Sequence, residues 1–200
     1  YSSVPFTTVA QAGAIGSGPA GDDVVSGSIA LPFPFNSYGT TYNSIVISTN
    51  GFISFDAAPG SGCCSGQTLP TTTTPNNVVA LAWTDLNTNN GGNITYWTNG
   101  NSFVVSFNSV ALYSGTGAVS GQIVLNSNNT IQINGVNILT SGITTQGIEN
   151  AAGTLGTAPA GLNAVTAMGV VGQSYLFTPP QAVVFNLAGP VTYNWSGNNG

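Results

Sequence analysis

The sequence predicts an all-β fold, an antiparallel jelly-roll-like β-sandwich with a short strand segment at its C-terminal end. Three observations predict it. Apolar residues alternate with polar ones at a period of two, turn residues interrupt that period about every 8 to 12 residues, and no useful window repeats apolar residues at helical spacing between good helix formers. Thr, Val, Ile and Gly are abundant in place of the helix formers.

The elements follow in order. Strands are expected over residues 4–9 and 24–31. Residues 42–48 and 52–55 flank Asn50-Gly51, a strong turn signal, and form a hairpin. Residues 78–83 are apolar almost throughout, which predicts a strand covered on both faces or lying beneath a packed loop. A strand is expected over 93–98. Phe103, Val105 and Phe107 alternate with Val104, Ser106 and Asn108, the pattern of a half-buried strand. Residues 122–126 point Ile123 and Leu125 inward, residues 130–134 do the same with Ile131 and Ile133, and Asn128-Asn129 turns the chain between them. Strands over 143–149 and 174–177 complete the set.

Thr178-Pro179-Pro180 marks the one boundary, dividing a sandwich domain over residues 1–178 from a linker and terminal β segment over 179–200. In that segment Ala182, Val183, Val184 and Phe185, then Val191, Tyr193 and Trp195, are strand-like yet too few to bury a core. The segment therefore packs on something else: as an edge strand of its own sandwich, as the start of an Ig-like module, or as a strand added to a neighbouring subunit.

Composition limits the chemistry. The 200 residues include no Lys, Arg or His and five acidic residues; charged residues are 2%, against about 25% in an ordinary soluble domain. Side-chain salt bridges are impossible, and so are a histidine base, a lysine nucleophile and an arginine clamp. The expectation is no enzyme. A net charge of -5 without a basic side chain also argues against nucleic acid and anionic membranes. A hydrophobic content of 42% still supplies a core. No apolar run reaches the length of a transmembrane helix. The chain opens on Tyr1 with no signal-like segment, so an export signal is expected to have been removed or to lie outside these residues. Without Lys or Arg there is no site for a trypsin-like protease, which suits life outside a cell.

Cys63 and Cys64 are adjacent within a Gly- and Ser-rich stretch. Three readings stand: a vicinal disulfide that stiffens a loop tip, bonds to a neighbouring subunit, or two reduced thiols without a role. A metal site at the cysteines is not expected, because no His or further Cys completes the shell. No cofactor is expected. Asp22 and Asp23 with loop carbonyls are the candidate Ca²⁺ ligands; the competing reading is a solvated turn, with Asp85 and Glu149 accepting backbone N–H groups at strand ends. Two of Asp22, Asp23, Asp56, Asp85 and Glu149 at suitable separation are the one conceivable acid–base pair, though the basic groups that surround such pairs are missing. Tyr96, Trp97, Tyr193 and Trp195 are candidate platforms for sugar rings or ordinary cross-strand packing. Asn93, Asn128 and Asn194 head glycosylation sequons.

The succession Leu31-Pro32-Phe33-Pro34-Phe35, Tyr38-Gly39, Tyr42 and Ile47-Ser48-Thr49-Asn50-Gly51-Phe52-Ile53-Ser54-Phe55 resembles the opening of β-sandwich domains in large secreted proteins of Bacteroidota, and more distantly of nidogen-type domains. Pro75-Asn76-Asn77, Ala80-Leu81-Ala82-Trp83-Thr84-Asp85-Leu86, Gly91-Gly92-Asn93-Ile94-Thr95-Tyr96 and Gly147-Ile148-Glu149-Asn150 continue it in order, over about residues 22 to 178. The resemblance implies a module of surface adhesins, gliding or filament proteins, with no shared catalytic set. Val191-Thr192-Tyr193-Asn194-Trp195 is similar to the first strands of the Ig-like repeats in such proteins. The expected function is a non-catalytic structural subunit or domain of an extracellular filament, fibre or cell-surface adhesin, self-associating through sheet edges that lack protective Lys residues. The alternative is a monomeric extracellular carbohydrate-binding module. Expected partners are further copies, neighbouring domains of a larger surface protein, or glycans.

Overall fold

A computed structural model describes residues 1–181; the segment from Ala182 to Trp195, read above as an inter-subunit strand, lies outside the described residues. Among the described residues thirteen strands are formed: β1 (Ser2–Val4), β2 (Gly16–Ser17), β3 (Ile29–Ser37), β4 (Thr40–Ser48), β5 (Phe52–Ser54), β6 (Val78–Trp83), β7 (Asn93–Thr98), β8 (Ser102–Ala111), β9 (Ala118–Asn126), β10 (Ile131–Leu139), β11 (Thr145–Glu149), β12 (Gly156–Thr157) and β13 (Gly169–Phe177). They pair antiparallel in two sheets, ordered β1-β13-β10-β9-β8-β7-β2 and β12-β11-β6-β5-β4-β3. Each sheet is built around a run of consecutive neighbours, β7 to β10 in one and β3 to β6 in the other. The fold class is the antiparallel β-sandwich that the period-two pattern predicts.

The alternation fixes which side chains meet. Val79 and Leu81 on β6, with Ile45 and Ile47 on β4, face Phe103, Val105 and Phe107 on β8 and Ile123 and Leu125 on β9, all at most 4% exposed. Burial of each such side chain stabilises the fold by about 1.5–3 kcal/mol. Gly121 lets the sheets close: a Cβ there would stand 2.5 Å from the Asn134 carbonyl and 2.8 Å from a Leu81 methyl.

Four differences from the expected elements have local causes. The strand expected at 4–9 stops at Val4, because Pro5 has no N–H to offer β13. The chain then leaves the edge and crosses the outer face of the seven-stranded sheet. The strand expected at 24–31 is reduced to an isolated bridge at Val25, and β3 begins only at Ile29. It then runs on through Pro32 and Pro34, which an edge strand with a register shift between Ala30 and Phe35 tolerates. β10 continues to Leu139 past a register shift between Gly135 and Asn137, and β13 starts at Gly169 instead of Ser174.

Both sheets carry cover on their outer faces. On the six-stranded sheet Phe52, Val78, Ala80 and Trp83 pack beneath a loop that contributes Leu69, so β6 is buried on both sides as its apolar run predicts. That loop is clasped: Trp83 Nε1 donates to the Gly62 carbonyl at 2.7 Å, Thr145 Oγ1 to the Gln67 carbonyl at 2.7 Å, and Leu69 exchanges both backbone bonds with the Asn163 amide at 2.8 Å. On the seven-stranded sheet Trp97, Val104 and Val124 pack against Val9 of the crossing segment, whose N–H and carbonyl are both held by the Gln122 side chain.

Candidate functional site

Asn50, in the turn between β4 and β5, has no exposed surface. Its side chain makes three bonds, each to a different loop. Nδ2 donates to Asp23 Oδ1 at 2.7 Å and to the Ser61 carbonyl at 3.2 Å, while Oδ1 accepts the Leu86 N–H at 2.9 Å. The neighbouring hydroxyls reinforce the arrangement. Ser48 Oγ donates to the Ser61 carbonyl at 2.7 Å, and Thr49 Oγ1 accepts the Val24 N–H at 3.0 Å. One corner of the sandwich is thereby assembled from segments far apart in sequence, by amides, hydroxyls and the Asp23 carboxylate, with no basic side chain.

The corner gathers Asp22, Asp23 and Asp85 around an opening of about 180 Å³ that Cys64 and Tyr113 also line. A second cleft, of about 290 Å³, shares Cys64 and Asp85 with it and continues towards Ser141. Asp23 sits at φ 54, a left-handed conformation that Asp tolerates better than most residues, and its carboxylate accepts the Asn50 amide while the residue stays exposed. Cys63 and Cys64 are bonded to each other in this structure. The carboxylate oxygens of Asp23 and Asp85 and the two sulfurs all lie within 4.8 Å of one another.

Electrostatics here is one-sided. Partial burial pushes the Asp85 carboxyl above the usual carboxylate range, and the negative charges of Asp23 and then Asp22 add to the effect. With no Lys, Arg or His in the sequence, no basic side chain relieves the repulsion. An oxygen-rich anionic corner of this kind suits a cation, a hard one when the sulfurs are bonded to each other.

The remaining sequence-derived candidates are scattered. Asp56 accepts from Asn77 Nδ2 at 2.9 Å on another part of the six-stranded sheet. Glu149, 2% exposed, faces the covering loop, where Oε2 accepts the Thr71 N–H at 2.9 Å and Oε1 meets no partner. Burial pushes it up to about 7, with the Thr71 bond pulling the other way. Glu149 thus fits the backbone-acceptor reading. Asp85 does not: its backbone carbonyl takes the Tyr113 N–H, while its carboxylate faces Asp23. Trp97 is 5% exposed and offers no platform to a sugar. Asn93 is exposed on β7 and Asn128 at the β9–β10 turn, whereas Asn194, Tyr193 and Trp195 lie outside the described residues.

Sequence reasoning missed Asn50, Asp85 and Tyr113 as parts of one site. The Asn50-Gly51 pair signals a turn, and nothing in it says that the side chain will bind residues 27 and 36 positions away. A scan against family models matches residues 1–180 to a family described as NIDO related. No curated protein and no solved structure matches the chain.

Proposed function

We propose that this chain, which belongs to the NIDO-related family, is a non-catalytic structural unit of an extracellular filament, fibre or cell-surface adhesin, joined to further copies or neighbouring domains by strand addition at a sheet edge. The observation that carries the reading is a length of β13. β1 covers it only from Ser174 to Leu176, so among the described residues the outer backbone of residues 169–173 has no strand partner. Val171, in the middle of that stretch, is 72% exposed. The other edges are blunted without charge: β2 and β12 are two residues long, and β3 carries Pro32 and Pro34. Open backbone donors and acceptors beside an apolar residue suit an incoming strand. Residues 182–195 have the alternation to supply one.

The charge inventory supports the same reading. Surfaces of hydroxyls and amides with almost no fixed charge present little electrostatic resistance to close packing of copies. No helix among the described residues is long and apolar enough to cross a membrane.

Electron microscopy of the purified protein tests the proposal. Filaments or ordered oligomers are expected, lost on deletion of residues 182–200 and on Val171→Lys, while the sandwich stays folded by thermal melting. Assembly that survives both changes would sink strand addition at this edge. Strict monomers with a reproducible glycan-array signal would move the function to carbohydrate binding, for which the uncharged cleft of about 220 Å³ between residues 17–20 and β7 is the place to look.

A further inference from the structure

We propose that Cys63, Cys64, Asp23 and Asp85 form a redox-gated site for a thiophilic divalent cation of the zinc or cadmium kind, closed as the disulfide and opened as the dithiol. The ligand set comes from three segments, and one buried amide holds all three. Asn50 binds Asp23 directly, Ser61 two residues before Cys63, and Leu86 one residue after Asp85. A side chain without exposed surface that fixes a carboxylate by one oxygen leaves the other oxygen to point elsewhere. That is the part played by an outer-shell partner of a metal ligand.

The geometry matches a four-coordinate ion. Metal–sulfur bonds of about 2.3 Å and metal–oxygen bonds of about 2.0–2.2 Å put tetrahedral ligand atoms roughly 3.3–3.8 Å apart. The four groups here stand within 4.8 Å of one another. The carboxylate oxygens close on that shell by about 1 Å, and the two sulfurs, once their bond is broken, move apart by about 2 Å, in residues of which Cys63, Cys64 and Asp23 are exposed. Solvent reaches the site from both clefts, since Cys64 and Asp85 line each. The carboxylates supply what the sequence lacked in His and further Cys.

The gate is the sulfur pair. As a disulfide it offers no thiolate, and the corner holds carboxylates alone, which do not select a thiophilic ion. A dithiol reductant delivers two electrons and two protons: the S–S bond breaks, two thiols form, and the reductant leaves as its own disulfide. A divalent ion then displaces the two thiol protons to solvent and binds two thiolates and two carboxylates. Oxidation by a disulfide reverses the sequence and expels the ion.

The test is a Cd²⁺ titration of the whole protein, oxidised and reduced, with the reductant removed under argon before metal is added. The reduced protein is expected to take up one equivalent with a thiolate-to-cadmium absorption band, and the oxidised protein to show none. Cys63→Ser with Cys64→Ser is expected to lose the band, and Asp23→Asn with Asp85→Asn to weaken binding at least tenfold, while both variants still unfold in one cooperative thermal transition. Excess Ca²⁺ is expected not to displace the ion. Equal uptake by oxidised and reduced protein would overturn the gate, and unchanged affinity in the double Asn variant would reduce the site to a simple dithiol.

Discussion

The outer faces of the two sheets meet the same problem in opposite ways. Each carries a buried tryptophan that a non-strand segment must cover. Over the six-stranded sheet the covering loop is clasped at several points, and Trp83 gives its N–H to the Gly62 carbonyl. Over the seven-stranded sheet a single stretch crosses, Gln122 alone grips Val9 by both backbone groups, and Trp97 Nε1 meets no acceptor. The difference teaches that burial of an aromatic ring and satisfaction of its polar atom are separate achievements. The first face behaves as interior, the second as surface with a strap laid on it.

The largest expected effect tests that distinction at its strongest point. Trp83→Ala should cost about 3–5 kcal/mol in urea unfolding, because the cavity lies beneath a loop pinned on several sides and cannot collapse. A loss under about 2 kcal/mol would mean that the loop follows the side chain inward and is not pinned.

Glu149 gives the next effect, on the same face. Its folded pKa of about 7 stands above the ordinary value of 4.5, so the neutral form is favoured in the fold. The stability cost is absent below about pH 4.5, grows as pH rises to about 7 and is constant above, on the order of 3 kcal/mol in all. The protein should therefore melt higher at pH 5 than at pH 8, and Glu149→Gln should flatten that profile. A wild-type profile that climbs over the same range would reverse the sign and refute the burial argument.

Replacing each indole by a benzyl ring sharpens the comparison directly. Trp83→Phe should cost about 1–3 kcal/mol, since it strands a buried carbonyl. Trp97→Phe should cost less than about 1 kcal/mol, since it removes a donor that was already unpaired and loses only volume. Equal losses would erase the contrast between the faces. The smallest effect belongs to the strap: Gln122→Ala should cost about 1 kcal/mol and chiefly raise hydrogen exchange at the Val9 amide.

Much of the sandwich was legible because alternation writes burial into the strand itself. β6 and β7 begin and end where the pattern predicts, and the turns at Asn50-Gly51 and Asn128-Asn129 fall in place. β2 and β12 left no trace, for two residues carry no period. The end of β1 was legible in Pro5 and passed over in favour of the apolar residues beyond it. At the acidic corner Asp22 and Asp23 announce themselves as a pair, but Asp85 joins them only through tertiary closure. Its carboxylate looks like any strand-end acid, and no His or further Cys marks the cysteines for metal; Asp23 and Asp85, 40 and 21 positions from Cys63 and Cys64, come beside them only in the fold. Sequence reasoning sees spacing, and this corner is made by folding.

The Asn50 amide also sets a chemical lifetime. It is followed by Gly51, whose missing Cβ leaves the next backbone nitrogen unshielded for attack on the side-chain carbonyl. The bonds to Asp23, Ser61 and Leu86 oppose that reaction by fixing the amide. Were it ever to proceed, hydrolysis would replace two donors with a carboxylate facing Asp23 and the Ser61 carbonyl, turning attraction into repulsion at both contacts. Two of the three loops would lose their common anchor at once, while the Leu86 N–H would still find an acceptor. The age of the molecule would then be recorded first at this corner, as a protein without basic side chains acquired one more negative charge it has no means to neutralise.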